Sequence, residues 1–593
     1  MDVPREVRAG PLALLLEEAG IRYVRAGGLE ILRRIYGAVR DPFWETAPTA
    51  VSNRRVEADG RSFRAVFEAD CRLGPADFAW RGEIAGTPEG VLRFTFDGTA
   101  RSTFLRNRIG LCVLHPARAC AGRPCRVEHP DGSTETGRFP ETISPHQPFR
   151  AIRAFAHEAA PGLHAEIRYE GDVFEMEDQR NWTDASFKTY STPLDLPRPV
   201  EVPRGTRIRQ TVILTLRGSP PPAPPPAPPV LAIGGDPLGP LPLLGLGFAA
   251  PALPREADLL RALRPAHLRV DLDLSGDFRT ALRRAAEEAR ALGAGLELAL
   301  HPAGRLPTGP LEELTRALEE AKIPATALVF DPDDLGRARR ALGGRIPVGA
   351  GSDANFAELN RRRPPEGAAD FLAYPACPQV HAFDDATLLE NLEGQADTVL
   401  SARRFSGGRP VVVSPVTLRR RFNPHAPPGT PPPPPDPRQK TLFGAAWTLG
   451  SLKHLAGSGA ARATYYETRG PRGLLEGDRV FPAYHVLADA AEFAGGSVLP
   501  ARSSAPLALE GLALRKDGRL RILAANLTAA PLEAVLENLP GRIRVRRLNE
   551  EILEEAASAP ERFRGNGGTP AEARGGRLAI RLSPLELLRI DGP

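Results

Sequence analysis

Polar and apolar positions alternate with a period of two through the first third of the chain, in runs such as RSFRAVFEADCRL, VLRFTFDGTA, RIGLCVLHP, AEIRYEGDVFEME and IRQTVILTL. That period puts every apolar side chain on one face of a strand, and the Gly, Pro and Asp-Gly turns between runs let the chain reverse. The pattern predicts an N-terminal antiparallel β-sandwich over residues 1–216. At RGSPPPAPPPAPPV, residues 217–230, eight prolines interrupt the alternation and mark a semi-rigid extended linker. Beyond it, short apolar runs alternate with Ala/Leu/Arg/Glu-rich helical stretches. The runs PLLGLGFAA, HLRVDLDL, GLELALH, ATALVFD, RIPVGAGSD, QVHAFD, RPVVVSPVTL and ATYYET are read as strands, so a TIM-like (β/α)8 barrel is expected over residues 231–497. A second proline cluster, NPHAPPGTPPPPPDPRQK at 423–440, follows the seventh run and is expected to loop over the barrel mouth. Toward the C-terminus, ALEGLALRKDGRLRILAANLT and GRLAIRLSPLELLRID restore the period of two, which predicts a small β-domain over residues 498–593. The class is multidomain α/β plus all-β.

Composition adds exclusions. A chain of 593 residues with 42% hydrophobic and 25% charged positions has room for several cores and resembles neither a disordered nor a membrane protein. The surplus of 77 basic over 72 acidic residues is arginine spread through every segment, which gives nucleic-acid binding little support. No run approaches the ~18 apolar residues of a membrane helix. The opening MDVPREVRAGPLALLLEEAG has two acids in its apolar stretch and no small-residue cleavage site, so a cytoplasmic location is expected. Five cysteines, an odd number in so long a chain, make no disulfide framework. Cys112, Cys120 and Cys125 lie near His115 and His129 but lack paired C-x-x-C spacing, so they read as buried strand cysteines and no metal is expected. The oligomeric state is left open.

A barrel directs attention to the ends of its strands, where sites of this fold lie. Those ends carry Asp271 and Asp273, His301, Asp331, Ser352 and Asp353 with Asn355, His381 with Asp384 and Asp385, and Glu467. Each has a structural alternative. Asp271 and Asp273 share a strand face with Arg269, and Asp331, Asp384 and Asp385 stand where helix caps are needed. Glu467 follows Tyr465 and Tyr466, where shielding from water would raise its pKa toward that of a general base. There is no H-x-H on the first strand, no H-E-x-x-H and no G-x-S-x-G, and GLGFAA lacks the third glycine of a dinucleotide fingerprint. The chemistry is expected to need no nucleotide or redox cofactor.

The stretch GDVFEMEDQRNWTDASFKTYSTPL, residues 171–194, packs charges among aromatics. Trp182 and Tyr190 could face a sugar ring, with Asp178, Arg180, Asp184 and Lys188 bonding its hydroxyls. Equally, the stretch could be a charged hairpin that docks one domain on another.

FLRNRIGLCVLHP, CRVEHPDGS, ISPHQPFRAIR, FEMEDQRNWTDASFKTYSTPL, GSDANFAELNRRRP, QVHAFDDATLLENL and ATYYETRGPRG resemble bacterial D-apionate lactonases of apiose catabolism. The similarity runs through the sandwich and the barrel and more weakly through the C-terminal domain, and the long proline insertions depart from it. The resemblance implies hydrolysis of a sugar lactone, D-apionolactone, to D-apionate. Opening a five-membered lactone needs a base to activate water, donors for the oxyanion and a proton for the departing ring oxygen. Glu467 or Asp353 is expected as base, His381 or Asn360 at the oxyanion, and Asp384 as proton donor. Asn355, Glu358, Asn360, His301, Tyr466, Asp178, Arg180, Trp182 and Lys188 are expected around the substrate. Two rival readings are a glycoside hydrolase working through two carboxylates and a non-catalytic carbohydrate-binding protein.

Overall fold

From Phe63 to Leu73 side chains point alternately into and out of a core, as a period of two demands. The computed structural model describes residues 5–593. These residues divide into two compact units. One holds the chain through Arg180, Ala185–Pro226 and Asn423–Thr430, and the other holds Asn181–Asp184, Ala227–Phe422 and Pro431–Pro593.

The first unit is an antiparallel sandwich of an eight-stranded and a nine-stranded sheet. Residues of both sheets, among them Leu32, Val113 and Phe187 from one and Phe67, Trp80, Phe96 and Leu214 from the other, form a single apolar core. Cys120 and Cys125 are buried in it, and all five cysteines are free thiols. In the eight-stranded sheet Phe174–Asp178 pairs with Ser186–Tyr190, and every residue of both strands is buried.

In the second unit eight parallel strands close a barrel: β1 (Leu243–Gly247), β2 (His267–Asp273), β3 (Gly295–His301), β4 (Ala325–Val329), β5 (Val348–Gly351), β6 (Leu372–Ala376), β7 (Val411–Val416) and β8 (Arg462–Glu467). Seven strands overlap the apolar runs named above. The sixth is a correction, since QVHAFD lies beyond β6 and leads into the helix Asp385–Glu390. Pro375 disguises the true strand. It sits at a register shift between β6 and β7, one of the few places where a sheet tolerates proline.

Helices alternate with the strands, and the sequence fixes their ends. Phe278–Leu292 starts at Asp277, whose carboxylate accepts the Thr280 N–H at 3.1 Å, and stops at Gly293 in a left-handed turn with φ 70°. Phe278, Leu282, Ala285, Ala286 and Ala289 share its buried face. By contrast, the helix Leu442–Ser458 is buried almost all round, because the C-terminal sheets cover the side turned away from the barrel; Lys453 there pairs with the buried Glu510 at 3.0 Å.

Residues Val230–Ile233, just past the linker, pair with Ala501–Ser503 and Val535 to Glu537, so the linker leads first into the C-terminal sheets and then into the barrel. Those sheets, of four and seven strands, enclose a second core around Leu231, Leu509, Ile522, Leu536 and Ile590. No described helix is long and apolar enough to cross a membrane.

Candidate active site at the barrel mouth

The site is built from the barrel floor upward. Fully buried inside the barrel, Ser414 on β7 donates its hydroxyl to Glu297 on β3 and lies 2.9 Å from the Thr464 hydroxyl on β8. Thr464 also bonds the His267 Nε2 at 2.8 Å, and burial pushes that imidazole down to about 4, so it stays neutral. Above this layer stands Arg269, 2% exposed, whose Nη1 donates to the Ser414 carbonyl at 2.7 Å.

Arg269 then gathers the strand ends. Its Nη2 donates to Asp271 at 2.8 Å and to Asp353 at 2.7 Å, which ties β2 to the loop after β5. Arg421, from the loop after β7, donates to Asp271 at 2.9 Å and to the same Asp353 oxygen that Arg269 holds. His301 at the end of β3 places its Nε2 3.2 Å from Asp271 and 3.9 Å from Asp353. Crowding by protein works against charge on Asp271, although 46% of its side chain is accessible. Arg269, His301 and Arg421 outweigh that effect and hold its pKa well below the carboxylate range.

Asp271, His301 and Asp353 are the group of described side chains whose possible metal-ligand atoms converge, all within 4.8 Å of one another. Arg269 and Arg421 already set two positive charges on the same carboxylates. Their repulsion opposes a cation there.

Glu467 arrives by a different device. Between β1 and β8 the register slips, so that Gly245 faces Thr464 while Gly247 faces Glu467. The extra residue is absorbed at Tyr466, which adopts φ 54°, the left-handed region that side chains seldom enter. Consequently two successive tyrosines turn toward one helix: Tyr465 bonds Ser451 at 2.9 Å and Tyr466 bonds Thr448 at 2.7 Å. Simple alternation would have sent Glu467 outward, and the bulge returns it to the mouth. Gly247 permits this, because a Cβ there would lie 2.8 Å from the Tyr466 carbonyl oxygen.

A cavity of about 60 Å3 lies against Glu467, walled by Phe248, Arg269, Asp271, Arg419, Arg421 and Arg472 among others. Pro435, Asp436 and Gln439 of the proline-rich loop line it too. Among the described residues nothing donates a hydrogen bond to the Glu467 carboxylate or pairs with it at contact distance. The neighbouring Arg469 pairs instead with Glu256 at 3.0 Å, and Arg472 gives an N–H to the Pro433 carbonyl. Burial raises the pKa of Glu467; Arg472 and Arg421 lower it and the charge on Asp271 adds to the rise, with a net upward shift.

Comparison with known proteins fits this architecture. The chain matches families described as the D-apionate lactonase N-terminal domain over residues 1–219, its TIM barrel domain over 248–495 and its C-terminal immunoglobulin-like domain over 506–590. A curated D-apionate lactonase of Brucella anthropi is 32% identical over 522 residues, covering 80% of this chain and 84% of that one. The chain belongs to the D-apionate lactonase family. It is accordingly a hydrolase of the lactonase class. Similar solved structures include a GH30 endoxylanase from Clostridium papyrosolvens C71, with TM-score 0.45, 13% identity, and coverage of 62% of this chain and all of that one. A family 30 subfamily 8 xylanase from Clostridium acetobutylicum gives TM-score 0.43 and 12% identity, over 61% and 99%. Likenesses at that level say nothing about activity.

The remaining residues expected at the substrate are engaged elsewhere. His381 Nδ1 lies 2.8 Å from Asp184, Asn391 donates to Asp184 at 3.1 Å, and Asn360 donates to Asn181 at 3.0 Å. Trp182 meets the His381 ring edge-on at 5.3 Å and lies beneath the Arg361 guanidinium at 5.2 Å. Asp384 caps the helix Asp385–Glu390, accepting from the Thr387 N–H at 3.0 Å and its hydroxyl at 2.9 Å. Asn355 and Glu358 close a capping box on the helix Phe356–Arg361, with the Asn355 N–H donating to Glu358 at 2.9 Å. Within the first unit Arg180 binds Asp178 through Nε and Nη2, at 2.9 and 2.8 Å, and Lys188 pairs with Glu177.

The cavity arginines were missed as candidates. The signal that could have found them is RRR at 419–421, three guanidiniums directly after a barrel strand.

Proposed function

We propose that the chain hydrolyses D-apionolactone to D-apionate in the cavity at the barrel mouth, with Glu467 as general base. One observation carries this reading. Glu467 is a carboxylate in that cavity with a raised pKa and no hydrogen-bonding partner among the described residues. A base so placed can take a proton from water as the water attacks the lactone carbonyl, a contribution typically worth about 10² to 10⁴ in rate. The guanidinium groups of the wall oppose the charge of the tetrahedral oxyanion. His301, held by Asp271, is the mouth residue suited to return a proton to the departing ring oxygen. Asp353 is a poorer base because Arg269 and Arg421 both hold its Oδ1. The substrate assignment itself comes from the relative in Brucella anthropi.

Cleavage of a glycosidic bond would need two available carboxyl groups flanking the bond. Here Asp271 and Asp353 are both tied to arginines, and of these three carboxylates Glu467 has no partner among the described residues. A panel of aldonolactones and aryl glycosides separates the two chemistries. Acid release from D-apionolactone without aryl release is expected; aryl release without lactone opening would overturn the proposal.

A further inference from the structure

We propose that Arg419 forms an anion subsite in this cavity that holds the carboxylate of the ring-opened product, an aldonate. The inference deepens the lactonase reading and rests on it for the identity of the ligand.

The charges on the cavity wall do not match in pairs. Arg269, Arg419, Arg421 and Arg472 face Asp271, Asp436 and Glu467. Asp271 is held by Arg269 and Arg421, and these two arginines also hold Asp353. Asp436 is held by Arg438, from Nε at 2.9 Å and from Nη2 at 2.7 Å, and by Gln379 at 2.7 Å. Arg472 bonds the Pro433 carbonyl and its charge acts on Glu467. Only Arg419 among the four has neither a hydrogen bond nor an ion pair with a described residue. It lies against the Phe383 ring, 5.7 Å from the guanidinium carbon to the ring centroid. That contact takes up none of its N–H donors in a hydrogen bond to a described residue.

A planar fork of N–H donors matches the two oxygens of a carboxylate. A neutral lactone presents none. The reaction creates one: the water oxygen bonds to the carbonyl carbon, the bond from that carbon to the ring oxygen breaks, the ring oxygen takes a proton, and the new acid loses one to solvent. Negative charge therefore appears at the acyl carbon and remains there in the product. An unpaired guanidinium facing this carbon favours the ring-opened acid over the closed ring and over neutral polyols of the same size. Competitive inhibition by aldonates follows.

Calorimetric titration of the full chain with sodium D-apionate, and with the corresponding alditol as a neutral control, tests this. The wild type should bind the aldonate and bind the alditol about 10- to 100-fold more weakly, the usual worth of a charge-assisted hydrogen bond. Arg419→Met should lose that margin for the aldonate and leave the alditol unchanged, while Arg419→Lys restores part of it. Since Arg419 has no hydrogen-bonded or ion-paired partner among the described residues, the Tm of both variants should equal that of the wild type. Equal aldonate affinity in wild type and Arg419→Met, or no aldonate binding by the wild type at millimolar concentration, would overturn the subsite. Acid release from the lactone is measured in parallel. If the folded wild type opens no lactone yet binds aldonate through Arg419, the subsite stands and the lactonase reading falls; if lactone opens and aldonate binding ignores Arg419, the reverse holds.

Discussion

The buried strands Phe174–Asp178 and Ser186–Tyr190 and the barrel mouth are both dense in charge, and they differ in how that charge is satisfied. In the strands the partners are complete. Asp178 takes two N–H groups from Arg180 and the Ser144 N–H at 3.0 Å, Arg180 also reaches the Pro140 carbonyl at 2.8 Å, and Glu175 accepts the Tyr190 hydroxyl at 2.5 Å. The mouth closes most of its pairs in the same way and leaves Glu467 and Arg419 without a partner among the described residues. A closed network resists change, because either partner alone would be a buried charge. An open one can do work on a ligand. Charge density in a sequence therefore marks a candidate, and the unpaired member is the one to test.

The contrast is broken most sharply at its open end. Glu467→Gln keeps size and removes the base, so kcat on the lactone should fall by about 10² to 10⁴ with Tm unchanged. At the closed end, Arg180→Met leaves Asp178 buried without its cation. Stability should drop by ~3–5 kcal/mol in denaturant titration, with normal turnover per folded molecule. A loss of turnover at wild-type stability would move that cluster into the site.

Glu288 separates desolvation from access. It is 6% exposed, its Oε2 accepts the Ala252 N–H at 2.9 Å, its Oε1 has no partner among the described residues, and burial pushes its pKa up to about 7 despite Arg469 nearby, with Glu256 adding to the rise. A raised carboxyl pKa means that the folded state keeps a proton that the unfolded chain releases. Stability should thus fall as pH rises from about 4.5 to about 7 and level off above. Glu288→Gln should flatten that slope in thermal melts taken across the window and leave turnover alone. The smallest effect is expected at Asp384, where Asp384→Ala removes a helix cap and should cost about 1 kcal/mol with kcat retained. Loss of turnover there would restore Asp384 as the proton donor.

Much of this fold was legible because its periodicities are plain. The alternating runs of the sandwich and the seven strands without an interior misreading each combine apolar pattern with turn residues. β6 was hidden by Pro375, whose tolerance depends on a register shift between strands that a single sequence does not display. The site divides in the same manner. Glu467 and Asp353 could be placed at the barrel mouth because position at a strand end is a sequence property. Whether a carboxylate is paired is not, since its partner can come from any other strand or loop: Arg421 is 68 residues from Asp353 and Arg269 is 84. The cap at Asp384 was visible as an alternative, the capping box of Asn355 and Glu358 was not, and only geometry decides between a cap and a catalytic group. The bulge at Tyr466 was not visible at all. Without it Tyr465 and Tyr466 read as shields over Glu467, whereas their hydroxyls point to the helix Leu442–Ser458.

The account stands or falls on Glu467 as an unpaired base, and the pH dependence of kcat/KM for the lactone, measured for wild type and Glu467→Gln, tests it most directly. The wild type should show an acid limb whose midpoint lies above the ordinary carboxyl value of 4.5, because burial raises the pKa of Glu467. The variant should turn over slowly and lack that limb. An acid limb with the same midpoint in both proteins would contradict the account and assign the base to another group at the mouth.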